Sequence, residues 1–199
     1  MMQRLLATQR SPMTRGLHAT RAGSFLFRSP SDVAAESHVV TTEGGALESH
    51  RYLVRSDGCG FSLQHEVLKK SAVPVRLEFR NHVYAVMVTK GRGRVQLFDS
   101  HDNAIERHAH ELQEGSFFAL SANEPVEISV DSDELHVVSV MNPPLVGPEH
   151  KNPDSGVFPV IDHDGIERED FDHSLIRRLC EPPESLKGGS SPMKDDPLF

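Results

Sequence analysis

Short apolar runs, each closed by a glycine or aspartate turn, follow one another through the middle of this chain. Residues 83–89 form the most β-like run, and residues 126–130 alternate strictly between apolar and polar side chains. A period of two is typical of strands with one buried face. Closely spaced short strands favour a sandwich or a barrel over a fold built from βαβ units. We therefore predict an all-β domain, a small jelly-roll-like β-barrel.

Further candidate strands follow the same pattern. They lie at residues 51–55, 61–68, 73–79, 95–98, 105–112, 117–120 and 135–141. We expect Gly91-Arg92-Gly93 to form a hairpin turn rather than a phosphate-binding loop, because a phosphate-binding loop would be followed by a helix and none is predicted here. We also expect the strand at 126–130 to pair with the strand at 135–141 across an aspartate turn. The series predicts one barrel domain over residues 39–160.

The tail from residue 161 to residue 199 has a different composition. A weak helical stripe predicts one short helix, and Pro182-Pro183 would end it. The glycine-, serine- and aspartate-rich segment beyond is typical of disorder. The helix is either a surface element or a lid over the barrel mouth.

Arginines dominate the first residues of the chain, whereas acidic residues dominate the rest. Residues 1–31 hold five arginines and no Asp or Glu, which leaves 16 basic against 29 acidic residues, a charge of −13, for residues 32–199. A basic, acid-free leader over residues 1–32 predicts a mitochondrial transit peptide. The alternatives are a disordered leader and a cytoplasmic protein. The acidic body would repel nucleic acid and anionic membranes, so we expect neither as a partner.

Cysteine and hydropathy patterns exclude several classes of protein. Cys59 and Cys180 lie too far apart for a metal or redox motif, so we expect two reduced thiols. No apolar run approaches the roughly 20 residues that a membrane-spanning helix needs. The sequence also lacks a P-loop, a nucleophile elbow and a dinucleotide-binding glycine motif.

Histidines invite a metal hypothesis, since the chain holds 12 of them. His108 and His110 would share one face of a strand with Glu106, but the neighbouring charges are more typical of a solvated outer strand. His82 lies at the start of the most β-like run, residues 83–89, where a hydrogen-bonded structural role is the simpler interpretation. No set of three ligands assembles from spacing alone, so we predict no metal ligands from the residues themselves.

The ordered motifs of residues 49–160 resemble the ectoine synthase family, small cupin-fold enzymes. The motifs that carry the resemblance are Arg51 with Leu53, Gly60-Phe61-Ser62, Asn81-His82, Gly91-Arg92-Gly93, Gly115, Leu120, Asn142-Pro143-Pro144, Gly147, Glu149 and Gly156-Val157-Phe158-Pro159. The resemblance implies a dimeric cupin lyase that makes the compatible solute ectoine. The reaction closes N-γ-acetyl-L-2,4-diaminobutyrate into a ring with loss of water. In the family a bound iron would act as the Lewis acid.

The resemblance also implies particular site residues, and several differ here. The family holds iron through Glu, Tyr and His, and those positions carry Tyr84, Phe118 and Asn123. Pocket positions change as well, at Glu48, Glu66, Phe79 and Met141. His82, Leu120 and Glu149 match, which makes them candidate substrate-binding residues, while the catalytic residues stay unknown.

Three functions remain open on this evidence. The first is the ectoine synthase reaction, with iron as cofactor if the family chemistry is retained. The second is a cupin that has lost the metal and binds a small molecule or a partner subunit without turnover. The third is a different, metal-independent enzyme on the same barrel.

Overall fold

The structure is a computed structural model that describes residues 26–98, 104–121, 123–152 and 154–180. The predicted disordered tail and most of the predicted leader lie outside these residues. Twelve strands and two α-helices are described. The strands are β1 (Val39–Thr41), β2 (Leu47–Leu53), β3 (Ser62–Lys69), β4 (Val75–Leu77), β5 (Val83–Lys90), β6 (Gly93–Phe98), β7 (Ala104–Leu112), β8 (Phe117–Leu120), β9 (Val126–Val130), β10 (Glu134–Asn142), β11 (Val160–Ile161) and β12 (Glu167–Arg168). The helices are α1 (Pro30–Ala35) and α2 (His173–Cys180).

Two antiparallel sheets form the body, which confirms the all-β prediction. One sheet has the order β1-β2-β3-β10-β5-β8, and the other has the order β4-β9-β6-β7. Side chains that are buried alternate with side chains that are partly exposed along β9 and β10. That alternation gives each sheet one inner face, as the sequence pattern requires.

The core fills the space between the two inner faces. It joins Leu68, Val86 and Val137 of the larger sheet to Leu77 and Ile128 of the smaller one. Beside them, the Phe79 ring stacks on Phe158 at a centroid distance of 4.9 Å and lies 4.9 Å from the ring of Tyr84. These three rings form an aromatic cluster within the apolar core.

Two of the predicted turns connect different sheets, which corrects two predicted hairpins. The turn at Gly91 and Arg92 leads from β5 in the larger sheet to β6 in the smaller one, and residues 131–133 lead from β9 back to β10. These two connections are hydrogen-bonded to each other: the N–H groups of Asp131 and Ser132 donate to the Arg92 carbonyl oxygen at 3.0 and 3.2 Å. Gly91 has φ +93°, and a Cβ there would lie 2.3 Å from the Glu134 carbonyl oxygen.

The ordered body begins earlier than the predicted boundary after residue 32. A Ser29 capping box starts α1, with the Ser29 side chain and Asp32 satisfying each other's backbone N–H groups. Arg28 pairs with Asp57 at 2.7 Å and with Glu36 at 2.9 Å. These contacts attach residues 28–36 to the barrel, a feature that the charge pattern of the leader conceals.

The C-terminal segment packs on the outside of the body. Leu175 and Leu179 of α2 cluster with Val160, and the Asn81 side chain ties the preceding loop through the Asp170 carbonyl and the Asp172 N–H, both at 2.9 Å. The predicted short C-terminal helix is therefore present as α2. No helix among the described residues is long and apolar enough to cross a membrane.

Candidate functional site

A belt of polar side chains lies inside the barrel, where β3 turns its polar residues inward. Ser62, Gln64 and Glu66 are buried, whereas the alternate apolar residues Leu63 and Val67 lie on the outer face and are only partly buried. The phase of β3 is thus opposite to the one its hydrophobicity suggests. A buried polar belt of this kind needs internal partners, because each unpaired group would cost free energy.

Those partners come from β10 and β5, the next two strands of the sheet. Ser139 donates to the Gln64 side-chain oxygen at 2.6 Å, and Gln64 donates in turn to Ser62 at 2.9 Å. The Tyr84 hydroxyl donates to a carboxyl oxygen of Glu66 at 2.5 Å. Neighbouring strands therefore deliver a phenol and a carboxyl group to one buried point.

Burial sets the protonation of this pair. Burial raises the pKa of Glu66, and the hydrogen bond from Tyr84 opposes that rise only in part. Burial, followed by the nearby Glu66 charge, raises the pKa of Tyr84 well above its usual range. Both groups therefore favour their neutral, proton-bearing forms.

Glu66 also faces a small cavity in the barrel interior. The cavity has a volume of about 20 Å³ and a wall that is mostly apolar, but Ser49, Arg51 and Glu66 line it as well. That volume holds roughly one water molecule. Within the described part of the chain, the buried Nε of Arg51 has no hydrogen-bond partner. A buried cation with a free donor and a buried carboxyl thus meet at one cavity.

A wider cleft lies next to the cavity and opens to solvent. Its volume is about 720 Å³, and it shares Val40, Thr42 and Phe158 with the cavity wall. The outer part of the cleft carries Arg76 and Lys151. Volumes of roughly 300–1,000 Å³ are usual for small-molecule sites. We call the cleft and the cavity together the funnel; Arg51 and Glu66 lie in its cavity part.

Arg51 is fixed by the segment that follows β10. Its guanidinium pairs with the Glu149 carboxylate at 3.1 Å and donates to the carbonyl oxygens of Gly147 and of Glu149. The same carboxylate accepts the backbone N–H groups of Val146 and Gly147. Both side chains of the pair are almost fully buried, at 2 % and 1 % exposure. Glu149 therefore acts here as the clamp that orients Arg51.

The other two matched positions also lie in the interior. His82 is buried, its Nδ1 lies 2.9 Å from the Pro143 carbonyl oxygen, and burial lowers its pKa. Leu120 belongs to the apolar core. His82, Leu120 and Glu149 are not among the residues that line the cavity or the cleft. Their roles in substrate binding stay predictions.

The three positions that would hold the family's iron do not fit a metal. Phe118 has no ligand atom and packs against the core, 6.5 Å from the Tyr84 ring. Asn123 is an exposed turn residue with φ 70°, and its backbone N–H donates to the Phe79 carbonyl oxygen at 2.8 Å. Tyr84 stays protonated and donates its hydroxyl hydrogen bond to Glu66. Among the described residues, no three His, Cys, Asp or Glu side chains are placed to hold a metal ion.

Two groups of histidines lie outside this site. The His108 and His110 rings are 6.4 Å apart on β7, but the side chain of Glu106 lies outside the described residues. His50, His65 and His136 form a row on the outer face of the larger sheet, with ring centroids 6.0 and 5.4 Å apart. Neither group contributes to the cavity or the cleft.

Two antiparallel sheets around an apolar core, with a buried polar belt and a cavity and cleft beside it, define a small cupin-type barrel with a site for a small molecule. Comparison with known proteins takes the assignment further. The family model described as ectoine synthase matches residues 26–162. The chain belongs to the ectoine synthase family.

Individual relatives and one solved structure agree with this assignment. The chain is similar to L-ectoine synthase from Desulfatibacillum aliphaticivorans, with 32% identity over 137 residues, 69% of this chain and 98% of the relative. L-ectoine synthase from Wolinella succinogenes is 29% identical over 135 residues, 68% of this chain and 96% of the relative. The crystal structure of ectoine synthase from P. lautus matches with a TM-score of 0.52 and 25% identity, over 62% of this chain and 81% of that chain.

Sequence reasoning missed the roles of Gln64, Ser139 and the Glu66–Tyr84 pair. Glu66 and Tyr84 each stood at a position where this chain departs from the family pattern, and the two departures turn out to contact each other. Two substitutions that appear separate along the chain are therefore one hydrogen-bonded unit. The contact between Glu66 and Tyr84 could have been predicted only from the pairing register of β3, β10 and β5.

Proposed function

We propose that this protein closes an N-acetylated 2,4-diamino acid into a ring with loss of water, the ectoine synthase reaction. The substrate would be N-γ-acetyl-L-2,4-diaminobutyrate. Its free amine attacks the acetamide carbonyl carbon, a C–N bond forms, and the carbonyl oxygen leaves as water. The observation that carries the proposal is the meeting of Arg51 and Glu66 at one cavity beneath an open cleft.

The funnel matches the shape and charge of this substrate. The Nε of Arg51 is a free, buried donor of the kind that binds a carboxylate. The substrate carboxylate enters the cavity, and the rest of the substrate lies in the cleft. Because the amine is bonded to the carbon next to the carboxylate, ring closure takes place close to Arg51. Glu66, which lines the same cavity, lies beside the reacting atoms.

A second candidate function is binding without turnover. Phe118 and Asn123 at family ligand positions favour it, because neither can replace a tyrosine or histidine ligand. Such a protein would bind ectoine or a similar zwitterion in the same funnel.

Proton NMR of the purified full chain separates these functions. The protein is mixed with N-γ-acetyl-L-2,4-diaminobutyrate, with and without ferrous iron, and ectoine formation is followed. Ectoine in either sample supports the enzyme. A folded protein that forms no ectoine but binds it, as measured by calorimetry, supports the binding function. A folded protein that shows no ring closure and no binding refutes both functions.

A cavity-filling variant ties the result to the funnel. Ser49 lines the cavity and is buried, so Ser49→Val should remove the remaining space and raise KM or abolish binding. Ser174 is exposed on α2, and Ser174→Val serves as the matched control. Equal effects of both substitutions would contradict the assignment of the cavity.

We also propose that two copies of the chain form a dimer. The outer face of the larger sheet exposes Val83, Met87 and Phe117, with Ala85 and Ala119 between them. An apolar patch of this kind on one sheet face is typical of an interaction surface. Sedimentation should give a dimer that Met87→Lys converts to a monomer, whereas Ile166→Lys, at another exposed apolar position, should leave it intact. A monomeric wild-type protein would refute the proposal.

We propose, finally, that the arginine-rich leader directs the protein to mitochondria. Five arginines without an acidic residue in residues 1–31 support this. Because Arg28 is ion-paired with Asp57, processing should occur before Arg28. Mass spectrometry of the mature protein should find such an N-terminus, and an intact Met1 in the cytosol would contradict the proposal.

A further inference from the structure

The family reaction needs help at the acetamide oxygen, because an amide carbonyl is a poor electrophile. Negative charge develops on that oxygen as the amine attacks, and it must be stabilised by a cation, a hydrogen-bond donor or a proton. The family positions for iron cannot supply a metal in this chain, since Phe118 lacks a ligand atom and Asn123 is exposed. Another group at the cavity must therefore stabilise the charge if the reaction takes place.

Glu66 is the group at the cavity that can carry a proton. It is 5 % exposed, lines the cavity, and stands where the family has a pocket threonine. Arg51 lines the same wall, but its terminal nitrogens are bonded to Glu149 and backbone carbonyl oxygens, its Nε–H is assigned to the substrate carboxylate, and a guanidinium does not give up its proton. The carboxyl group of Glu66 thus combines access to a bound molecule with the ability to donate and to accept.

Tyr84 contacts Glu66 from within the apolar core. Its hydroxyl lies 2.5 Å from the Glu66 carboxyl oxygen, and Tyr84 itself is 1 % exposed and does not line the cavity. The phenol holds one carboxyl oxygen of Glu66 in place. The family's glutamate and tyrosine types are thus both present, but on different strands and bonded to each other rather than to a metal.

We propose that Glu66 donates and accepts the protons of ring closure in place of a metal Lewis acid, with Tyr84 as its positioning residue. This inference rests on the proposed ring closure. The raised pKa of Glu66 agrees with it, because burial keeps the carboxyl protonated before the amine attacks.

The proton transfers balance over the whole reaction. The Glu66 carboxyl gives its proton to the acetamide oxygen while the amine nitrogen bonds to the carbonyl carbon, and the resulting carboxylate takes a proton from that nitrogen. The carboxyl then protonates the new hydroxyl group, the C–O bond breaks and water leaves. The electron pair of a ring nitrogen forms the C=N bond. The ammonium group of the substrate first releases one proton to solvent to give the attacking amine, and the Glu66 carboxylate left after water departs takes one proton from solvent. An ammonium substrate thus becomes an amidinium product, one water is lost, and no oxidant or reductant is needed.

Metal-free kinetics of the full-length protein and its variants tests this inference. Chelator-treated wild-type protein, with its metal content checked by mass spectrometry, should still form ectoine. Glu66→Gln keeps the shape of the side chain but cannot exchange protons, so kcat should fall about 10²–10⁴-fold with little change in KM. Glu66→Asp moves the carboxyl group back from the cavity, and its kcat should lie between those of the wild type and Glu66→Gln. Glu111→Gln, on the exposed outer face of β7, is the matched control and should match the wild type.

The pH profile tests the role of Tyr84 separately from its role in the fold. The reaction needs protonated Glu66, so kcat should fall as pH rises through the pKa of Glu66. The hydrogen bond from Tyr84 lowers that pKa, so Tyr84→Phe should move the falling limb to higher pH. Tyr52→Phe, the same change at the chain's other tyrosine, should leave it in place. A structural defect alone would lower kcat without moving the limb.

The outcomes distinguish the two proposals. Ring closure only with iron, and unaffected by Glu66→Gln, would overturn the role of Glu66 while the proposed function stands. No ring closure by wild-type protein in any sample would overturn both. An infrared carbonyl band of a protonated carboxyl, present in wild-type protein at neutral pH and missing from Glu66→Gln, should accompany a positive result. Its absence from wild-type protein would overturn the assignment of Glu66 as the acid.

Discussion

Replacing Arg51 by methionine tests the buried clamp of the site. Methionine fills much of the same space, but Glu149 would keep a buried charge without its cation. Both side chains are almost fully buried, and three contacts of the guanidinium would be lost. Removing one partner of a buried ion pair costs about 3–5 kcal/mol. That is a large part of the ~5–15 kcal/mol that stabilises a typical domain. We expect Arg51→Met to lower the free energy of unfolding by about 3–5 kcal/mol.

Urea unfolding followed by circular dichroism measures the change, since the chain has no tryptophan for fluorescence. The double variant Arg51→Met/Glu149→Leu should lose less than the two single variants together, because it leaves no unpaired charge. Arg94→Met breaks an exposed pair with Glu111 and should cost no more than about 1 kcal/mol. A loss below about 1 kcal/mol for Arg51→Met as well would refute the argument that this pair is buried and mutually dependent.

Three further substitutions should change stability in defined directions. Gly91→Ala should cost about 2–4 kcal/mol in urea unfolding, because its Cβ would collide with the Glu134 carbonyl oxygen at a positive φ; a loss below about 0.5 kcal/mol would contradict that corner. Burial, then the neighbouring His136 and His50, lowers the pKa of His65, so the folded state loses stability as pH falls below about 6.5. His65→Gln should therefore raise Tm near about pH 5 and leave it unchanged near about pH 8, and a pH-independent effect would be contrary evidence. Burial raises the pKa of Glu66 in the folded state, so stability should fall as pH rises from the pKa of the unfolded state, near 4.5, through that higher pKa. The Tm of Glu66→Gln should lack that fall, and parallel curves of Tm against pH for variant and wild type would refute the prediction.

The strands could be predicted from the sequence, but their sheets could not. Alternation locates β9 and β10 within a residue or so, because a half-buried strand must alternate. The turns after β5 and β9 contain the glycine and aspartate residues of ordinary hairpins. They lead instead from one sheet to the other, a choice made by packing between distant strands rather than by the turn residues. Local sequence does not encode that choice.

The candidate site was less predictable than the fold. The apolar residues of β3 suggest an inner face formed by Leu63 and Val67, yet the structure buries Gln64 and Glu66. Partners supplied by Ser139 and Tyr84 make that inversion possible, and they lie on strands far along the chain. Arg51 and Glu149 were noticed as matching positions, but their mutual ion pair became visible only in three dimensions.

The pair formed by Arg51 and Glu149 also has a consequence for the order of folding. The two residues are 98 positions apart, so the contact that neutralises Arg51 joins an early strand to a late loop. At a synthesis rate of roughly 5–20 residues per second, roughly 5–20 s separate the two residues on the ribosome. During that time β2 cannot bury its guanidinium at low cost. Closure of the barrel end that holds the site must therefore follow synthesis of the Glu149 loop, which makes this end of the barrel a late step in folding.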